Sequence, residues 1–187
     1  MTLETFCKEL DVCLTGCGTC EEKVQQTEAL LAQLSHESLP CCGQWDCQDK
    51  CYARHLVYKG DESGCCVVAM AWAPGQGTPV HDHDGVWCVE CCLEGQLEVI
   101  RYELDETVEK GEEPVYIFHQ VESERVGEGN VGSLIPPYEH HVIRNPGESK
   151  AITLHVYGKE LLKSSCFVPL GDNRYRRVER QLAYAEA

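Results

Sequence analysis

Between Tyr52 and Gly158 the chain is a succession of short apolar or alternating runs: ARHLVY, CCVVAMAW, VWCVECC, QLEVIRYEL, PVYIFHQVE, GSLIPP, HHVIRN and AITLHVYG. Turn-forming stretches such as KGDESG, APGQGTP and NPGESK separate them. Short runs rich in Val, Ile and Tyr and bounded by Gly and Pro read as strands. No stretch between them has the length and periodicity of a crossover helix. An antiparallel sandwich or barrel is therefore expected, and a parallel βαβ sheet is not.

Ahead of the strands, Leu3 to His36 has helical spacing. Phe6 and Leu10 stand four apart, and Val24, Leu30, Leu31 and Leu34 fall close to one stripe, with polar residues elsewhere. Two or three short helices are expected before Pro40, as a layer packed on something larger. The C-terminal FVPLGDNRYRRVERQLAYAEA begins extended and is expected to end helical. A length of 187 residues suits one domain: a helical layer over 1–45, a β core over 50–160 and an extension over 161–187.

Charge narrows the partners. Asp and Glu number 31 against 16 Lys and Arg, a formal charge of −15, and such a field repels nucleic acid and anionic membrane. No run approaches a membrane span, and MTLETFCKELD lacks a basic segment followed by an apolar one, so a cytoplasmic protein is expected. Fourteen cysteines would suggest disulfides only in an exported chain. The pairs Cys41–Cys42, Cys65–Cys66 and Cys91–Cys92 lack zinc-ligand spacing, and Cys17-Gly-Thr-Cys20 has the spacing of a redox or half-zinc motif but no βαβ context around it. Most of these thiols read as small hydrophobes. Oligomeric state is not legible.

The chemistry centres on VHDHDGVWCVECCLEG. Residues i and i+2 of a strand point to one face, so His81 and His83 can present two imidazoles to one point, with Asp82 and Asp84 turned away. A metal needs more ligands, and His119, His140, His141 and His155 follow downstream. Thr153, His155 and Tyr157 share one face of another strand, a hydroxyl–imidazole–phenol row that by itself reads as a cross-strand polar face.

Gly75-x5-His81-x-His83-x4-Cys88-x6-Gly95 resembles the first cupin motif, with cysteine where many cupins carry a glutamate ligand. Pro136-Pro137-Tyr138-Glu139-His140-His141-Val142-Ile143-Arg144-Asn145 resembles the second. Within cupins the pattern is similar to the cysteine dioxygenase family over roughly Tyr52 to Gly158. The resemblance implies an all-β jelly-roll (cupin) barrel with a short N-terminal helical segment. It also implies Fe(2+) held by three histidines and no carboxylate, so that Cys88 is not a ligand but is joined by a thioether bond to Tyr157, whose phenol His155 would position. Two residues compete as third ligand. His140 precedes His155 by the 15 residues found in many relatives, whereas His141 fits the Pro136-x4-His-x3-Asn145 spacing and is preferred.

Tyr52-Ala53-Arg54-His55-Leu56-Val57 resembles the segment that carries the substrate-carboxylate arginine, with Arg54 as anchor and Tyr52 beside it. Arg174, Arg176 and Arg177 are rivals from the C-terminal tail. The activity implied is addition of both atoms of O2 to the sulfur of L-cysteine, giving cysteine sulfinic acid. WAPGQGTPVHDH also reads like bacterial relatives that act on 3-mercaptopropionate or other thiol acids such as mercaptosuccinate. Those relatives commonly carry glycine where this chain has Cys88, which favours L-cysteine here. A cupin acting on carbon, or one that only binds a metal or small ligand, are the other classes.

Overall fold

The computed structural model describes residues 1–16, 18–34, 44–110, 113–137 and 139–185. Two helices come first, α1 (Leu3–Gly16) and α2 (Cys20–Leu31). Helix α2 starts at a capping box: Thr19 accepts from the Glu22 N–H (3.1 Å), and the Glu22 carboxylate accepts from the Thr19 N–H (2.9 Å). Each bond satisfies an N–H that helix geometry leaves unpaired.

Among the described residues eleven strands follow: β1 (Ala53–Lys59), β2 (Cys66–Trp72), β3 (Val80–His81), β4 (Cys88–Glu94), β5 (Gln96–Lys110), β6 (Glu113–Gly127), β7 (Val131–Leu134), β8 (His141–Arg144), β9 (Ala151–Tyr157), β10 (Lys163–Gly171) and β11 (Arg174–Gln181). One five-stranded sheet has the order β1-β2-β9-β4-β7, and the other strands close on themselves in the order β10-β11-β6-β5-β8-β3. All the pairings are antiparallel. This is the expected all-β architecture with a short helical segment, and its double-sheet, antiparallel form is a cupin jelly roll.

Strands β2 and β9 are buried along their whole length because the five-stranded sheet is covered on both faces. Val67, Ala69 and Ala71 of β2, Ile152, Leu154 and Val156 of β9, and Val89, Cys91 and Leu93 of β4 pack with Phe6, Leu10, Leu14, Val24 and Leu31 of the helices. The alternate residues Cys66, Val68, Met70 and Trp72, with Cys88, Cys92 and Tyr157, form a second core with Leu97 and Ile143. That two-sided burial is why CCVVAMAW reads as an unbroken apolar run. Burial of each large side chain removes it from water at a gain of about 1.5–3 kcal/mol. The helical stripe thus finds its partner on one face, and the alternate face is free to carry chemistry.

Two expectations need correction. The C-terminal stretch ends in strand, not helix: β10 pairs with β3, and β11 pairs with both β10 and β6, so the tail beyond residue 161 closes the second sheet. Arg174, Arg176, Val178 and Arg180 alternate in register with β10, a period-two pattern that the many charges obscured. The HxH pair is also not wholly on a strand. β3 ends at His81, and His83 lies in a turn in which Asp84 and Gly85 take φ of 52° and 71°.

Candidate metal centre

His81 on β3 is the direct cross-strand partner of His141 on β8, and His83 follows on the turn after β3. The ring centroids of His81 and His141 lie 4.4 Å apart, those of His83 and His141 5.0 Å, and those of His81 and His83 5.4 Å. One nitrogen from each ring comes within 4.8 Å of the others. His140, the alternative from sequence, is turned away and packs its ring on Phe118 and Phe167, at 4.9 and 5.4 Å. Adjacent residues of a strand face opposite ways, so only one of the two histidines can join the cluster.

Backbone carbonyls set the tautomers. His81 Nδ1 lies 3.0 Å from the His141 carbonyl and 3.2 Å from that of Pro79, and His141 Nδ1 lies 3.0 Å from the Glu139 carbonyl. A carbonyl only accepts, so in both rings Nδ1 carries the hydrogen and Nε2 presents its lone pair inward. His141 Nε2 and His83 Nδ1 are buried without any hydrogen-bond partner. Burial pushes the His81 imidazole down to about 4, and burial together with the neighbouring imidazoles holds His83 and His141 well below the usual range. Three neutral, converging imidazoles with unpartnered nitrogens fit a transition-metal ion, which would satisfy the atoms that protein hydrogen bonds leave open.

Glu139, next to the ambiguous histidine pair, holds the turn in place. Its carboxylate accepts from the His83 N–H at 3.2 Å, while its carbonyl orients His141. Asn145 does the same for the next turn, donating to the Trp72 carbonyl (3.0 Å) and the Ser149 carbonyl (2.8 Å). Gly75 and Gly95 of the first motif have φ of 77° and 78°, and a Cβ at Gly95 would come within 2.9 Å of the Lys150 carbonyl. Glycine is required there by both backbone and space.

The second sheet supplies the ligand cluster and the first supplies what surrounds it. Tyr52, Arg54, His155 and Tyr157 line the same cavity as His81, His83 and His141. Its open volume is about 20 Å³, space for roughly one water, so a larger ligand enters only as lining side chains shift. Arg54 is 4% exposed; its Nη2 donates to the Leu161 carbonyl at 3.0 Å and its guanidinium lies over the Tyr184 ring at 5.1 Å, whereas Nε and Nη1 have no hydrogen-bond partner. Tyr52 stacks on Trp72 with centroids 4.5 Å apart. Arg174, Arg176 and Arg177 do not line this cavity; Arg174 pairs with Asp172, and Arg177 donates to Ser165.

Cys88 and Tyr157 are directly opposed across β4 and β9, and both side chains are buried in the same core cluster. Burial pushes the Cys88 thiol and the Tyr157 phenol well above their ordinary values. In the Thr153–His155–Tyr157 row, Thr153 Oγ1 lies 2.8 Å from His155 Nε2, but the His155 and Tyr157 rings stack with centroids 6.0 Å apart. His155 and the Tyr157 hydroxyl are not joined by a hydrogen bond, and the two rings lie nearly parallel. His119 is exposed beside Glu103 and Asp105, away from the cavity. Among the described residues every cysteine is a free thiol; Cys17, Cys41 and Cys42 lie outside them. Two groups at the site carry no motif signature. Trp72 Nε1 donates to Thr153 Oγ1 at 2.9 Å, and the Glu90 carboxylate lies 3.3 Å from His155 Nδ1. Glu90 could have been found from its place between Cys88 and Cys92 on the inward face of a period-two strand.

Solved structures similar to this chain include TT1209 from Thermus thermophilus, 21% identical over 63% of this chain and 93% of that one, with a TM-score of 0.44. A cupin superfamily protein from Desulfitobacterium hafniense DCB-2 is 12% identical over 65% and 90% of the two chains, at 0.44. An oxalate oxidase in complex with the substrate analogue glycolate is 18% identical over 60% of this chain, at 0.43, and this chain spans only 53% of its length. These likenesses are distant. The cysteine dioxygenase type I family model matches residues 24–167, most of the chain and every residue of the cluster. By that match, the chain belongs to the cysteine dioxygenase type I family.

Proposed function

We propose that the protein is a non-haem Fe(II) thiol dioxygenase that adds both atoms of O2 to the sulfur of L-cysteine, giving cysteine sulfinic acid. The observation that carries this reading is Arg54: a buried guanidinium with two nitrogens unpartnered, lining the same cavity as three converging neutral histidines. A buried cation is costly unless an anion meets it, and the planar fork of arginine matches a carboxylate. A cavity that offers both a metal site and a carboxylate anchor suits a small thiol acid.

His81, His83 and His141 would hold the metal. Ferrous iron would supply affinity for a thiolate and the one-electron chemistry that O2 requires. The three ligands are neutral, so the site keeps its full positive charge toward an anionic sulfur. Arg54 holds the carboxylate and thereby places the sulfur; Tyr52 and Trp72 wall the cavity. The Tyr157 hydroxyl would be a donor to a reacting oxygen, with its ring beside those of His83 and His155, at 5.5 and 6.0 Å. The overall balance is thiol plus O2 to sulfinic acid.

Cys88 would join Tyr157 through a thioether. The bond replaces the thiol hydrogen and one ring hydrogen, and the two electrons and two protons pass to O2. Direct opposition on an antiparallel ladder brings Cβ atoms to about 5 Å, within reach of such a bond.

A second reading is a thiol acid without an amine, such as 3-mercaptopropionate or mercaptosuccinate. No carboxylate lines the cavity among the described residues, so no acidic side chain meets a substrate ammonium group there. O2 uptake and sulfinate formation by the iron-loaded protein, measured across cysteine, 3-mercaptopropionate, mercaptosuccinate and cysteamine, separate these cases. A protein that only binds metal turns over none of them.

A further inference from the structure

Glu90 is an acid in the interior that the proposed chemistry does not use. Its strand neighbours Val89 and Cys91 pack toward the helices, which turns Glu90 to the inward face, directly across the ladder from His155. The side chain is 13% exposed, and Oε2 has no hydrogen-bond partner; His155 Nδ1 lies 3.3 Å from it, outside hydrogen-bond geometry.

The donors around His155 leave one arrangement. Trp72 Nε1 can only donate, so Thr153 Oγ1 accepts from it at 2.9 Å. Among the described residues the only acceptor then found for the Thr153 hydroxyl hydrogen is His155 Nε2, at 2.8 Å. His155 therefore carries its hydrogen on Nδ1, which faces the Glu90 carboxylate at 3.3 Å and the Cys88 sulfur at 3.9 Å. The sulfur meets hydrogen-bond geometry and the carboxylate does not, but the carboxylate is the nearer and the stronger acceptor.

Glu90 also reaches water by a route of its own. A cleft of about 240 Å³, separate from the histidine cavity, is lined by Glu90, Thr153 and Gly132 at one end and by Arg101, Glu122 and Glu124. Gly132 is the cross-strand partner of Glu90 on β7, and its missing side chain leaves room beside the carboxylate.

Resting on the proposed reading of the site, we infer that Glu90 is a positioning residue: its ionised carboxylate receives the His155 Nδ1–H and fixes the ring that Tyr157 stacks against. The cleft lets bulk solvent set the charge on that carboxylate. The titratable and charged groups around it are Cys88 and Cys92 on the same face of its own strand, Cys91 next to it on the opposite face, His155 and Tyr157 on β9, and Arg101, Glu122 and Glu124 lining the same cleft. Arg101 is engaged by Glu122 at 3.3 Å, so it leaves Glu90 without a salt-bridge partner. Burial pushes the Glu90 carboxyl up to about 7, which places its ionisation in the neutral range.

The test is side-chain nitrogen-15 NMR of the full-length protein loaded with zinc as a diamagnetic metal, with Glu90→Gln compared to the parent. The parent should show His155 protonated on Nδ1 and bare on Nε2, with the Nδ1–H resonance moving through a midpoint of about 7. In Glu90→Gln that movement should vanish while metal content stays unchanged. In the iron-loaded enzyme, the acid limb of kcat should disappear in the variant and kcat should fall several-fold with little change in KM. A parent protonated on Nε2, or a Glu90→Gln variant with the same resonance titration and pH profile, overturns the assignment. If the parent oxidises no thiol, the resonance result still decides the role of Glu90, and it is the proposed function that falls.

Discussion

Cys88 and Tyr157 face each other directly across the β4–β9 ladder, with both side chains in the buried space between the sheets. Turnover with iron, O2 and cysteine should convert that contact into a covalent bond. Peptide mass mapping should find a linked pair lighter by two hydrogens than the separate Cys88 and Tyr157 peptides. Repeatedly turned-over enzyme that yields both peptides unlinked would refute the bond. Cys88→Ala should keep its metal and lose part of kcat. Tyr157→Phe should lose more, on the order of 100-fold, because the hydroxyl donor itself is gone.

Metal content should separate two adjacent histidines. His141→Ala and His81→Ala each remove one of three converging ligands and should lose most bound iron. His140→Ala, which removes a ring packed on Phe118 and Phe167, should leave iron near one per chain. Equal iron in the His140 and His141 variants would mean that the site lies elsewhere.

Arg54→Met should bind iron normally and fail with thiol acids. A charge-assisted hydrogen bond contributes about 1.5–3 kcal/mol, so kcat/KM for cysteine should fall roughly 10- to 150-fold. Steady-state kinetics with cysteamine supply the control. If the parent enzyme oxidises this carboxylate-free thiol as well as cysteine, Arg54 is not the anchor.

The metal-free protein should lose stability as pH falls below about 6.5. His81 and His155 stay neutral in the fold down to about 4 and about 3, whereas in the unfolded chain both protonate from the ordinary value of 6.5. The unfolded state therefore binds more protons between those limits, and acid favours it. His83 and His141 act in the same direction. Glu90 acts oppositely, because its carboxyl, raised to about 7, costs stability as pH rises from 4.5. Four rings outweigh that one carboxylate, so denaturant midpoints should drop from pH 6.5 to 5. In His155→Gln the drop should be shallower; an unchanged slope would mean that His155 is not buried as a neutral ring.

Much of the fold was legible because burial and strand period coincide. CCVVAMAW and AITLHVYG became β2 and β9, whose two faces meet the helices and the opposite sheet. Phe6, Leu10, Val24 and Leu31 were readable as a stripe for the same reason. The tail was not, since β11 carries charges on both faces, and only its pairing with β10 and β6 makes it a strand. At the site, the convergence of His81 and His83 was legible from spacing, although a turn held by Glu139, and not a strand, delivers His83. The choice between His140 and His141 needed the β3–β8 register. Glu90 and Trp72 act through contacts across the β4–β9 and β2–β9 ladders, and no spacing along the chain encodes those.

The central claim is dioxygenation at sulfur. Iron-loaded protein supplied with cysteine under isotopically heavy O2 in ordinary water should yield cysteine sulfinate carrying two heavy oxygen atoms, with one O2 consumed per thiol. Product carrying a single label or none, or O2 uptake that does not depend on a thiol, would contradict it.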